Sequence, residues 1–366
     1  MKRYIFIAAA LVLATVSCSK VYDATPVNHD VPIGFGSWAE YLTKAPLTDF
    51  ANNDEFDVYG FKWNAGPADQ ENVFTGDDVK YNSSTDKWSY SPLRFWDSNF
   101  DNYTFFAAFP KDQLASEAAA DDYAQRGLFI SNELTYNGSD EVLLIAQQKD
   151  VANAQYGSVV PLVFKHTGSL VDIKFDKNSA IEDAVVAVTS ITLSGIQTKG
   201  KYTVASYDGT TNDPVGKTVS SVAGLGWEVA ETPVLSTAAA PYVNTTGASL
   251  AAGDGVGSSN ATALFSNLVL MPQVLGDTSG PKITLTYTIT TGTGGTAQTV
   301  TYTNKEIYFG KFDDAGESAN DDGNLISAWM PGVHYTYYIQ INANAIEFSA
   351  SIDNWETGSA YYYLVN

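Results

Sequence analysis

The sequence predicts an all-β protein built as two β-sandwich domains. Aromatic residues make up 13% of the chain, including 22 Tyr, against only 17% charged residues. Apolar side chains alternate with polar ones at period two in many short runs, and clusters of Gly, Asn and Asp separate those runs. Aromatic and β-branched residues fit a pleated, half-buried surface, and turn residues at short intervals are the mark of sandwiches. A length of 366 residues suffices for two cores.

The chain opens with Lys2 and Arg3, then an uncharged apolar run from Ile5 to Val16, then Thr15-Val16-Ser17-Cys18. A basic start, a run of about 7–15 apolar residues and small residues before a cysteine read as a lipoprotein signal peptide over residues 1–17, with lipid on Cys18. The run is too short for a spanning helix, which needs roughly 20 residues. Cys18 is the sole cysteine, so once it carries lipid no intrachain disulfide is available and stability rests on the cores. The formal charge is −21, and loss of Lys2 and Arg3 makes it −23. Such a surface repels phosphate backbones and anionic headgroups, which excludes nucleic acid as a partner.

Val31, Ile33 and Phe35 alternate with Pro32, Gly34 and Gly36 and predict a strand with one apolar face. Shorter strand candidates follow at Phe56 to Phe61, Thr104 to Phe109 and Val142 to Ala146, with a weak helix from Gln113 to Ala124 between the last two, in which Asp121-Asp122 fit a loop equally well. Val160, Leu162 and Phe164 form a strand that Gly168 breaks from Val171, Ile173 and Phe175. The small, polar stretch before Phe164 places the division between domains near residue 160, giving 45–160 and 161–366. Segments Tyr207 to Lys217 and Asn244 to Asn260, rich in Gly, Ser and Thr, read as surface excursions. The clearest hairpin runs from Lys282 to Tyr302, with Ile283, Leu285, Tyr287 and Ile289 facing inward and Gly292, Gly294 and Gly295 turning the chain. Tyr335, Tyr337, Ile339 and Ile341 repeat the pattern, and after the turn Asn342-Ala343-Asn344 so do Ile346, Phe348, Ala350 and Ile352. The tail alternates once more in Tyr361, Tyr363 and Val365.

Catalytic constellations are wanting. The sequence holds no GxSxG elbow, Walker loop or HExxH pair, and His29, His166 and His334 have no second ligand at helical or hairpin spacing. The acidic stretch Asp313, Asp314, Glu317, Asp321 and Asp322 lacks the closing Glu of an EF-hand and reads as a solvated loop. A non-enzymatic protein with no cofactor and no metal is expected. A glycan-binding surface lipoprotein is the alternative, with some of Trp38, Trp63, Trp88, Trp96, Trp227, Trp329 and Trp355 stacking on sugar rings.

The order of several pieces resembles the fimbrillins, which build type V pili. They are the lipoprotein signal ending at Cys18, Ile33-Gly34-Phe35 followed by Thr43-Lys44-Ala45, and the stretch from Trp88 to Trp96 leading to Phe105-Phe106-Ala107-Ala108-Phe109-Pro110. Phe164-Lys165-His166, Leu270-Met271-Pro272-Gln273, Pro331-Gly332-Val333-His334-Tyr335 and Asp353-Asn354-Trp355 complete the set. The resemblance implies transthyretin-like sandwiches, export to the outer membrane as a palmitate-bearing lipoprotein, and trimming by a trypsin-like protease. The cut would fall between Lys44 and Ala45, where family members often carry Arg. It would release segment 18–44 with the strand of Val31, Ile33 and Phe35, and the groove so opened would accept a strand from another fimbrial subunit, giving a homo- or hetero-polymer at the cell surface that supports adhesion. Tyr361, Tyr363 and Val365 fit either a donated strand, as in a stalk or anchor subunit, or a resident one, as in a tip.

Overall fold

The computed structural model describes residues 31–39, 50–64, 70–85, 87–115, 129–138, 143–204, 226–253, 257–312, 326–343 and 346–354. Its strands in the first half are β1 (Phe35–Ala39), β2 (Glu55–Trp63), β3 (Glu71–Asn82), β4 (Lys87–Ser89), β5 (Asn102–Phe109), β6 (Phe129–Ile130), β7 (Leu134–Thr135), β8 (Leu144–Ala152) and β9 (Val160–His166). The second half holds β10 (Ser169–Asn178), β11 (Val185–Ser194), β12 (Lys199–Val204), β13 (Trp227–Glu228), β14 (Val243–Asn244), β15 (Ala248–Ser249), β16 (Ala252–Gly253), β17 (Thr262–Leu270), β18 (Gln273–Val274), β19 (Lys282–Thr291), β20 (Gln298–Tyr308), β21 (Ala328–Trp329), β22 (Val333–Ile341) and β23 (Ile346–Asn354). Apart from short 3-10 turns, all regular structure among the described residues is β, as the composition predicts.

A seven-stranded sheet in the order β1-β9-β8-β5-β2-β3-β4 forms the first half. It rolls until its two ends meet. Phe35 of β1 lies 5.8 Å, ring to ring, from Phe105 of β5, three strands away in the sheet order, and Pro32 bridges to Phe95 beyond β4. One aromatic core fills the roll, with Phe56, Phe74, Tyr103, Phe105, Leu162 and Phe164 among its buried members. Strand β5 is apolar on both sides. Tyr103, Phe105 and Ala107 enter that core, whereas Phe106 and Ala108 enter a second cluster with Tyr202, Trp227, Val269 and Met271.

The second half is a sandwich of two sheets. In one, β10 lies beside parallel β22, which pairs with antiparallel β23; in the other, β11 lies beside antiparallel β19, which pairs with β20. Val171, Ile173 and Phe175 with Tyr335, Tyr337 and Ile339 face Val186, Ile191 and Leu193 with Ile283, Leu285 and Tyr287 across one buried core. Those on β10, β19 and β22 are the inward residues that alternation selects, and those on β11 complete the same core.

One expectation is corrected, and another is tested only at its first three residues. The segment expected to be helical begins extended: Leu114 bridges to Ser131 and the Ala115 N–H donates to the Ile130 carbonyl at 2.8 Å. Residues 116–124 lie outside the described residues. Leu114 is buried against the cluster that covers β5, which accounts for the extended start. The excursion from Asn244 to Asn260 is stitched into both sheets, β15 onto β11 and β16 onto β10, with Leu250 between them in the core. Small residues permit this close approach, since a Cβ on Gly253 would collide with the Asp176 carboxylate and the Ser258 hydroxyl.

One buried carboxylate bears on stability. Asp57 on β2 is 6% exposed and accepts from the Asp112 N–H at 2.8 Å. Burial, reinforced by the charges of Asp112 and Asp78 and opposed by that hydrogen bond, pushes its pKa up to about 6. A raised carboxylate pKa means the folded state holds the proton more tightly than the unfolded chain does, so this group's contribution to stability falls as pH rises from about 4 to 6. Asp57→Asn, neutral and still able to accept from Asp112, is expected to raise the melting temperature at pH 7.5 and to lose that advantage at pH 4. Calorimetry at both pH values checks the sign.

Candidate functional site

Residues Val31 to Ala39 form one extended segment held between two edges. Over its first three residues it runs antiparallel to Arg94–Trp96: the Ile33 N–H donates to the Arg94 carbonyl at 2.9 Å and the Trp96 N–H donates to the Val31 carbonyl at 3.1 Å. It then changes partner. The Gly34 carbonyl accepts from the Val160 N–H at 2.8 Å, and from Phe35 to Ala39 the chain pairs in parallel with Val160 to Phe164 of β9. At the change, the Tyr90 hydroxyl donates to the Ile33 carbonyl at 2.7 Å. Burial raises the Tyr90 pKa, so the phenol keeps its proton and remains a donor.

Side chains alternate as the sequence predicts. Ile33 is 1% and Phe35 7% exposed, and both belong to the aromatic core. Val31 packs half-buried at its margin, and Pro32 is exposed, as suits a residue with no N–H to give a ladder. Phe35 meets Phe56, Phe74, Tyr90 and Phe105 with ring centroids 5.4–6.2 Å apart, three of these contacts edge-on, a favoured geometry for aromatic pairs. The expected strand of Val31, Ile33 and Phe35 therefore occupies a slot in the first sheet.

The walls of the slot are fastened by contacts that do not involve the segment. Arg94 reaches β3, with Nε donating to the Val73 carbonyl at 3.0 Å and Nη2 paired with Asp77 Oδ1 at 3.1 Å. Trp96 is buried, stacked on Tyr156 at 4.7 Å and edge-on to Tyr103 at 4.8 Å. On the other wall Val160, Leu162 and Phe164 are buried in the core. Phe50, the first described residue after the segment, packs on Trp88, Phe109 and Phe164 at 5.0–5.7 Å.

Sequence alone discloses no role for these walls. The run from Trp88 to Trp96 stood out as a motif, and its density of aromatics was the available signal, but nothing in its spacing says that it pairs with a segment sixty residues earlier. Cys18, Lys44, Ala45, Tyr361, Tyr363 and Val365 all fall outside the described residues, as do His29 and the acidic stretch from Asp313 to Asp322. His166 is buried, and His334 pairs with Asp172 at 3.2 Å on the sandwich. Among the described residues no cluster of three or more His, Cys, Asp or Glu could hold a metal ion. Of the tryptophans offered as sugar platforms, Trp96, Trp227 and Trp329 are fully buried, and Trp88 lies within 5.0 Å of the rings of Phe50, Phe56 and Tyr81.

The family model of the fimbrillin-like proteins matches residues 43–355. The chain belongs to the fimbrillin-like family. None of the curated proteins matches it. Among solved structures, a fimbrial protein from Bacteroides vulgatus superposes on this fimbrillin-like chain with a TM-score of 0.58 at 20% identity, covering 88% of this chain and 99% of the other. A cell adhesion protein, so described provisionally, from Bacteroides uniformis covers 90% of this chain and 99% of its own at 13% identity and a TM-score of 0.41. The tip fimbrial protein Mfa3 of Porphyromonas gingivalis covers 89% and 99% at 10% identity, also with a TM-score of 0.41. The likeness of fold rests on the first of these.

Phe35→Ala empties the space beneath four rings and is expected to destabilise the chain by about 3–5 kcal/mol. Tyr90→Phe removes one hydroxyl bond to the segment and should cost about 1 kcal/mol. Urea denaturation of both variants measures the two losses. A Phe35→Ala cost no larger than that of Tyr90→Phe contradicts the packing described.

Proposed function

We propose that this chain is a fimbrial subunit, exported to the outer membrane as a lipoprotein on Cys18, which polymerises at the cell surface by exchanging its Val31–Ala39 strand for one from another subunit. The single observation that carries this reading is the slot: two fixed edges with an apolar segment between them, near the amino terminus and just before the expected cut at Lys44. A strand edge left unpaired beside apolar pockets is the template that strand addition uses.

Energetics make the exchange reasonable. Burial of Ile33 and Phe35 contributes about 1.5–3 kcal/mol each, and each ladder hydrogen bond adds about 0.5–1.5 kcal/mol. These gains are available again to any incoming strand of the same alternation. Lys44 falls in sequence between Ala39, the last residue of β1, and Phe50, which packs against the core. A cut there separates what fills the slot from what stays, and trypsin-like proteases accept Lys. The tail with Tyr361, Tyr363 and Val365 has the alternation a donor needs.

Limited trypsin digestion of the unlipidated chain tests this reading. The expected result is one early cut after Lys44, followed by a ladder of oligomers on an unboiled gel, and neither in Lys44→Gln. The trimmed chain should also rebind a synthetic Val31–Ala39 peptide, but not one carrying Asp at positions 33 and 35. A ladder that survives Lys44→Gln, or a trimmed chain that takes up both peptides equally, counts against strand exchange.

A further inference from the structure

Among the described side chains of residues 31–166, only three of the Val, Leu, Ile, Met, Phe, Tyr and Trp residues are exposed: Leu93 at 54%, Phe95 at 44% and Val159 at 58%. All three stand at the slot. Phe95 bridges to Pro32, and the bonds from the Ile33 N–H to the Arg94 carbonyl and from the Trp96 N–H to the Val31 carbonyl bracket that pair. It is therefore a non-hydrogen-bonded pair, in which facing side chains approach most closely. Leu93 lies two residues back along the same wall. Val159 precedes β9 on the other wall, and a Cβ built on Gly34 would have Val159 Cγ2, at 3.9 Å, as its nearest non-neighbouring atom.

The resident segment leaves this rim bare. From Val31 to Gly36 its large side chains point inward, and its outward positions hold Pro32, Gly34 and Gly36, so it offers the rim nothing larger than a proline ring. A strand that filled both sides would be apolar at every position, as strands buried on both faces are. One run outside the described residues has that character. Tyr361-Tyr362-Tyr363-Leu364-Val365 is five consecutive large apolar residues, and no other stretch of the chain has more than four. With Tyr361, Tyr363 and Val365 turned inward, Tyr362 and Leu364 turn outward, whichever way the strand runs.

We propose that, when the tail of one copy of this chain fills the slot of the next, its outward residues Tyr362 and Leu364 cover Leu93, Phe95 and Val159 at the rim. The inference rests on the strand-exchange reading and adds what gives the exchange its direction. The leaving segment buries large apolar side chains on one face. The tail buries them on both, and its second face also takes the rim out of water. Aromatic and aliphatic cross-strand pairs of this kind are favourable. The larger residues have room, because Pro32 is exposed already and the space over Gly34 is open as far as Val159.

Competition between peptides tests this on the unlipidated full chain. The chain is trimmed with trypsin in an equal mixture of two peptides, freed of unbound peptide, and mass spectrometry reads which one is retained. None of the peptides contains Lys or Arg, so trypsin spares them. Val31–Ala39 carrying Pro32→Tyr and Gly34→Leu is expected to be retained about tenfold over the same peptide carrying Pro32→Thr and Gly34→Thr. On a chain with Leu93→Ser, Phe95→Ser and Val159→Ser that preference should fall to within about threefold, which separates contact with the rim from intrinsic strand preference. The three substituted side chains are exposed, and an unchanged melting temperature confirms the fold. A second pair needs no protein variant: on the parent chain the peptide Ala360–Asn366 should be retained about tenfold over its form with Tyr362→Thr and Leu364→Thr. Equal retention within either pair on the parent chain, an undiminished preference on the triple variant, or a tail peptide that is not retained overturns the proposal while strand exchange stands. A trimmed chain that retains no peptide at all counts against strand exchange itself, and the proposal falls with it.

Discussion

Closure of the first sheet by Val31 to Ala39 is the constraint on which the amino-terminal half depends. A rolled sheet has two ends, and here they meet through a single segment that bonds to Arg94–Trp96 on one side and to β9 on the other. The same segment supplies Phe35, whose ring reaches strands β2, β3 and β5. Hydrogen bonding and core packing are therefore satisfied together by nine residues. A buried edge without its partner would strand N–H and C=O groups, which carries a penalty beyond the lost bonds themselves.

That half is joined to the sandwich through Phe61 of β2, Ile145 of β8 and, between them, β5. Because its two faces enter different clusters, the aromatic core under the slot is separated from the cluster around Tyr202, Trp227 and Met271 by the thickness of one sheet. With a single cysteine, rigidity comes from packing. Side chains fill interiors at near-crystalline density, and a strand at the slot is in direct contact with the Phe105 ring on β5. The polar side of β22 adds a different kind of tie: Gln340 donates to the Asp176 carboxylate at 3.0 Å and accepts from Asn178 at 2.8 Å, while Ser258 donates to Asp176 at 2.7 Å. These bonds fix β10, β22 and the stitched excursion in one register.

Much of this was legible in the sequence because period-two alternation is a local signal. Ile283 to Ile289, Tyr335 to Ile341 and Val171 to Phe175 place their apolar faces inward as read. Ile33 and Phe35 are buried as well, so alternation identified the segment that fills the slot. What sequence did not disclose is pairing across long separations. That Val31 lies beside Trp96 and Phe35 beside Val160 depends on how the sheet rolls, and rolling is a sum of many small twists. The excursion from Asn244 to Asn260 escaped for the opposite reason: its strands are two residues long, too short to show a period, and Leu250 alone marks it as interior.

The character of the bonds in the slot bears on whether its occupant can be replaced. Both walls grip the segment through backbone N–H and C=O groups, and the Tyr90 hydroxyl likewise takes a backbone carbonyl. Such bonds are indifferent to side-chain identity. Selection falls on shape alone, through the pockets filled by Ile33 and Phe35, and any strand with apolar residues two apart can present that shape. A salt bridge or a disulfide at the same place would have tied the slot to one sequence. The fold thus combines permanence of the walls, secured by Arg94, Trp96 and the buried face of β9, with a generic hold on what lies between them, and that combination is what exchange between subunits requires.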